Sequence, residues 1–254
     1  MEQLQINNFS LLISSLIVVV AILINAKEQL GLEKKIIIGS IRAVIQLFIV
    51  GYILRTVFQM DNFWVTLLMI LFMVENAAYN AHKNSDGIKN SLLISNISIG
   101  VATIICLAVL VISKAVAWTP EQVVPITGMI ASNSMIVVGL VFRNINDRFE
   151  RQSQEVLERL ALGANELEAS HTVIRDSIQI AMQPTIDSAR TVGLVSLPGM
   201  MTGLIFAGVD PLVAIRYQIV ITFLMLGISS ISSIIYSYFT YKQFFNEHHQ
   251  LIID

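Results

Sequence analysis

The chain has 254 residues, 55% of them hydrophobic and only 13% charged, and its mean hydropathy of +0.71 lies outside the range of ordinary soluble domains. The net charge of −2 carries no signal by itself, and no nucleic-acid partner is expected. Cys106 is the single cysteine, which excludes an intrachain disulfide and argues against a thiolate metal cluster.

A crossing helix needs about 20 mostly apolar residues, so the length allows about seven crossings and one sizeable loop. The start, "MEQLQINNFS", holds an acid and no base. It lacks the basic n-region of a cleaved signal peptide, so the first apolar run is expected to be a retained span. Apolar runs follow at about 10–26, 36–54, 62–81, 91–113, 123–142, 191–209 and 212–240. In hydrocarbon each must be helical to satisfy its own backbone.

Counting bases orients them. With the N-terminus outside, the inner segments hold Lys27, Lys34, Lys35, Lys83, Lys89, Arg143, Arg148, Arg151, Arg159, Arg175, Arg190 and Lys242. The outer loops hold only Arg55 and Lys114, with Arg42 and Arg216 inside spans. The positive-inside rule then gives N-out, C-in.

Arg42 lies about 10 Å into the second span, at 1.5 Å per residue. Glu75, in "MVENAAYNAHKN", lies at a similar depth in the third, with Asn76 and Asn80 extending its polar face. Equal depth and opposite charge predict an intramembrane ion pair, which avoids two lone buried charges. A carrier or gating role for Glu75 is the alternative. In the fifth span "TGMIASNSM" places Met129, Ser132, Asn133, Ser134 and Met135 together. Such residues either join helices by hydrogen bonds or wall a cavity.

Residues 143–190 are the one extended hydrophilic segment. Apolar or small residues recur in steps of three and four at Phe149, Ser153, Val156, Leu160, Gly163, Leu167, Ser170, Ile174, Ile178 and Ala181, one face of a helix. Gly163 is a natural stop. Asn165 restarts a helix, with Glu168 three residues on in the manner of a capping box. The expectation is a helix to about Leu162, a sharp turn at 163–165, and a second helix returning to the membrane, kinked at Pro184. This pair either packs on its own spans or projects its turn into a partner.

The sixth run contains "SLPGMMTG", with Pro198, Gly199 and Gly203 near mid-depth. The plain alternative is close packing through small residues; the functional one is a broken helix facing a pathway. Met200 and Met201 offer thioethers, soft ligands better suited to Cu(I) than to iron, though methionine is commonly packing filler. Asp210–Pro211 is a good N-cap and first-turn pair. Arg216 can snorkel outward from the last span. His82, His171, His248 and His249 form no His-rich tract, and no metal site is assigned.

Two stretches carry a family resemblance. "LALGA", Leu160–Ala164, with Val173 and Ile174 downstream, resembles the cytosolic EAA loop by which ABC import permeases dock on their ATPase. Glu158 stands one place too close to Gly163 for that motif, and no Leu-Pro follows. "VGLVSLPGMMTGLIFAGVDPLVAIRYQIVI", Val192–Ile221, closely resembles the signature of the FetB-type ABC transporter permeases, described as iron exporters, with plant aluminium-tolerance half-transporters among them. The resemblance implies a homodimeric permease subunit in the plasma membrane that moves iron or another metal ion. A separate ATPase would carry ATP and Mg, and this chain no cofactor. No G-x-x-x-x-G-K-[ST] loop is present to hold nucleotide phosphates.

The expected fold is all-α and polytopic: about seven transmembrane helices, N-out/C-in, forming one permease domain over 1–254, with a cytosolic helix-turn-helix insert at 143–190. Glu158, Leu160, Leu162, Gly163, Asn165, Glu166 and Glu168 are the expected ATPase-coupling residues. Glu75, Asn76, Met129, Asn133, Met135, Pro198, Met200 and Met201 are the expected substrate pathway. The competing function is a secondary transporter or channel for a small cation, using Glu75. No nucleophile–base pair or metal-ligand spacing suggests an intramembrane enzyme.

Overall fold

A computed structural model of the chain describes residues 8–60, 62–83 and 90–252. Lys89 and the first seven residues lie outside the described residues. The chain divides into two compact units, Met1–Met60 and Asp61–Asp254. The first is a helical pair, α1 (Asn8–Lys27) and α2 (Glu33–Met60), packed on each other. Their link turns through Gln29 and Gly31, at φ 54° and 68°.

The second unit holds α3 (Phe63–Lys83), α4 (Ser91–Ile112), α5 (Pro120–Arg151), α6 (Ser153–Ala161), α7 (Glu166–Thr191), α8 (Gly199–Phe206) and α9 (Pro211–Thr240). α5 and α9 are its central helices: they pack on each other, α3 and α4 lie against α5, α4 also against α9, and α7 touches both. Both start as sequence chemistry requires. Pro120 and Pro211 occupy first-turn positions where the missing N–H costs nothing, and the Asp210 side chain accepts from the Leu212 amide at 2.8 Å.

Six helices are long and apolar enough to cross a membrane: α1–α5 and α9. The expected sixth run, 191–209, is not a helix of that kind. α7 ends at Thr191, residues 192–198 leave helical geometry in a turn through Gly193 at φ 82°, and α8 has only 8 residues, about 12 Å. Pro198 lacks the N–H a continuous helix needs and restricts the residue before it. The second half of α7 supplies the missing length. It runs helically through Pro184 and packs between α5 and α9. The stretch 143–190 is thus shared by the end of α5, which continues unbroken to Arg151, by α6, and by most of α7.

The core has two apolar clusters. One gathers Ile70, Cys106, Leu110, Val123, Ile130, Ile221 and Ile228. The other gathers Ala78, Ile94, Val138, Ile145, Phe149, Val156, Val173, Ile174, Tyr236 and Phe245. Phe149 holds the second cluster's far end, stacked on Phe244 with ring centroids 4.1 Å apart and edge-on to Phe245 at 6.1 Å.

Candidate functional site

Where the two apolar clusters meet along α5 and α9, the packing turns polar. Asn133 Nδ2 on α5 donates to Ser229 Oγ on α9 at 2.8 Å. Thr185 Oγ1 on α7 lies 3.0 Å from the same oxygen, and Ser229 Oγ donates to the Met225 carbonyl at 2.8 Å. Serine has one proton. With it directed to that carbonyl, Ser229 accepts from both other helices, and Thr185 is the donor of its bond. Three helices are thereby joined at one atom.

Beside this node opens a cavity of about 440 Å³ walled by α5, α7, α8 and α9, within the range of small-ligand sites. Met129, Asn133, Thr185, Ser188, Gln218 and Met225 stand on its wall, and the α7–α8 break closes one side through Val192, Pro198, Gly199 and Met200. No charged side chain is among the described residues lining it. Gln218 is only 8% exposed, and its Oε1 has no hydrogen-bond partner.

The opposite end of α7 is built for display. α6 ends at Ala161, Gly163 takes φ +92°, and a Cβ there would meet nothing within 4 Å. Asn165 caps α7: its side chain accepts from the Glu168 amide at 2.9 Å, and Glu168 accepts from the Asn165 amide at 3.0 Å. The turn is fixed from within, while Leu162 at its tip is 89% exposed. Behind it, Arg148 of α5 binds Asp176 of α7 at 2.8 Å. His249 of the C-terminal segment contacts Glu166 at 2.8 Å.

Comparison with known proteins places this architecture. The uncharacterised protein family UPF0014 matches residues 8–245. The chain belongs to the UPF0014 family. It is 51% identical over 253 residues to the probable iron export permease protein FetB of Escherichia coli K12, covering 100% of this chain and 98% of that one. It is 34% identical to the protein ALUMINUM SENSITIVE 3 of Arabidopsis thaliana, over 92% of this chain and 86% of that one. It is 33% identical to the UPF0014 membrane protein YjkA of Bacillus subtilis, over 95% and 97%. No solved structure matches the chain. This UPF0014 chain is a multi-pass membrane permease.

The residues singled out in the UPF0014 sequence fall into distinct places. Met129, Asn133, Pro198 and Met200 come together on the cavity wall. Met201 is buried on the far side of α8's first turn, and Met135 packs on the second apolar cluster. Neither is among the cavity's lining residues. Glu75 lies on a separate groove with Phe72, Asn96 and Gly100. Its neighbour Asn76 is exposed and accepts from Asn80 at 2.8 Å. Arg42 belongs to the first unit and Glu75 to the second, and both are exposed.

At the turn, Leu160 packs inward on the second cluster, Glu166 faces His249, and Asn165 and Glu168 serve the cap. Glu158, Leu162 and Gly163 are left facing outward. Sequence reading missed Thr185, Ser188, Gln218, Thr222 and Met225. A signal existed: 218, 222, 225 and 229 recur in steps of four, three and four, one polar stripe on an apolar helix.

Proposed function

We propose that this permease is the membrane subunit of an ABC-type exporter of iron or another metal ion, working as a homodimer with a separate ATPase. The observation that carries the reading is the course of α7. It starts at the capped, exposed turn and ends at the cavity, 26 residues later, about 39 Å away. A helix of that length is a stiff element, so a push at the turn is felt at the cavity wall. Arg148–Asp176 and the packing of α6 tie the same motion to α5.

In this reading ATP and Mg reside on the partner, whose cleft takes Leu162 and its flanking turn as an apolar anchor in a groove. ATP-driven closure displaces the α6–α7 turn toward the membrane. α7 then shifts against α5 and α9 at the Asn133–Ser229–Thr185 node, and the cavity changes the side to which it opens. The printed names of the relatives, one an iron export permease, support a metal cargo. Glu75 lies outside the cavity wall, which disfavours the carrier alternative.

The test is reconstitution of the full chain with its Walker-motif ATPase in lipid vesicles, with metal efflux followed with and without ATP. Leu162→Asp is expected to release the ATPase and abolish chain-stimulated hydrolysis. Retention of the partner with undiminished stimulation places the docking site elsewhere.

A further inference from the structure

A cavity that binds a bare metal cation should offer negative charge or a compact ring of ligand atoms, because an uncompensated buried charge is costly. This one offers neither. Its described lining has no carboxylate, and at about 440 Å³ it holds on the order of fifteen water volumes at about 30 Å³ each. No group of three His, Cys, Asp or Glu side chains that could hold a metal occurs among the described residues.

The fixed partial charges at the α7–α8 break point the other way. The final carbonyls of α7 are largely occupied: Thr191 Oγ1 reaches those of Asp187 and Ser188, and the amides of Leu194 and Val195 both bond to that of Thr191. α8 opens on the same cavity without a side-chain cap, because Pro198 stands at its N-cap position. Uncapped first-turn amides together with the positive end of a helix form an anion site. The second sign of a ligand is Gln218, more than nine-tenths buried on that wall, whose Oε1 lacks a donor.

We infer that the cavity receives its metal as an anionic complex with a small hydroxycarboxylate, not as a bare cation. This rests on the transport reading above. The carboxylate oxygens of the complex face the amides that open α8, and a ligand hydroxyl donates to Gln218 Oε1. The thioethers of Met129, Met200 and Met225 pack against its carbon skeleton.

Isothermal calorimetry on the full chain in nanodiscs tests this with five probes: ferric citrate, citrate, inorganic phosphate, Fe²⁺ and Ag⁺. Ferric citrate is expected to bind at least about ten-fold more tightly than either bare cation. Ser188→Asp puts a negative charge on the cavity wall and should weaken ferric citrate about ten-fold or more. Gln179→Asp adds the same charge on an exposed part of α7 away from the cavity and should leave binding unchanged. Gln218→Leu should weaken ferric citrate while unfolding temperature is retained.

Tighter binding of Fe²⁺ or Ag⁺, strengthened binding in Ser188→Asp, phosphate binding equal to that of the complex, or no binding of any probe overturns the inference. ATP-driven efflux that continues without hydroxycarboxylate also overturns it and leaves the transport reading standing. No efflux under any condition, with the ATPase bound, overturns the transport reading itself.

Discussion

Ser229 has one proton and three partners, and the bonds it makes belong to three different helices. Replacing it with alanine leaves Asn133 Nδ2 and Thr185 Oγ1 without their shared acceptor. Hydrogen bonds between membrane helices average about 0.6 kcal/mol and reach about 1.7, so Ser229→Ala should lower stability by about 1–2 kcal/mol. The cost is modest because a membrane interior offers the freed groups other backbone acceptors. Function should suffer more, since the node fixes how α7 sits against α5 and α9 beside the cavity. Thermal unfolding in detergent, set beside efflux rate in vesicles, separates the two. An efflux rate equal to wild type would remove the node from the mechanism.

At the scale of elements, the α6–α7 turn depends on a left-handed glycine and a reciprocal cap. Gly163→Ala meets no steric obstacle, so its cost is backbone strain alone, about 1–2 kcal/mol. Asn165→Ala removes the cap and costs about 1 kcal/mol. Neither change touches the apolar clusters. Hydrogen exchange should therefore speed up at Leu167–Ser170 and stay unchanged in α9, with stimulation of the ATPase falling in parallel. Uniform loss of protection across the second unit would show that the turn supports the fold and not the docking surface.

This turn was readable from sequence because its signals are local: a glycine that stops one helix, an asparagine and a glutamate three apart that start the next. The start of α9 was readable at Asp210–Pro211 for the same reason. The α7–α8 crossing was not. Arg175, Asp176, Asp187 and Arg190 make α7 look hydrophilic along its whole length. Yet Val173, Ile174, Ser177 and Ala181 are buried, and Ala181, Thr185 and Ser188 line the cavity. A helix between two others inside a membrane protein can carry charges on faces turned from the core. Average hydropathy therefore misplaces it, and only the packing shows where it goes.

For the whole molecule, the base count assigns the Leu162 turn to the inner side and the α8–α9 link to the outer side. With α5 and α9 both running inward from their first-turn prolines, α7 must travel outward between them, and the uncharged break at 192–198 falls between the two surfaces. Leu162→Cys and Asp210→Cys, each in a Cys106→Ala background, test the arrangement with an impermeant maleimide. Cys106 is buried, and its removal costs little more than the lost contacts of a small apolar side chain. The thiol at position 210 should react in intact cells, while the one at 162 should react only after the membrane is opened. The reverse pattern would put the docking turn where no nucleotide-hydrolysing partner can reach it. In that case α7 could not carry force from an ATPase to the cavity, whatever the cavity binds.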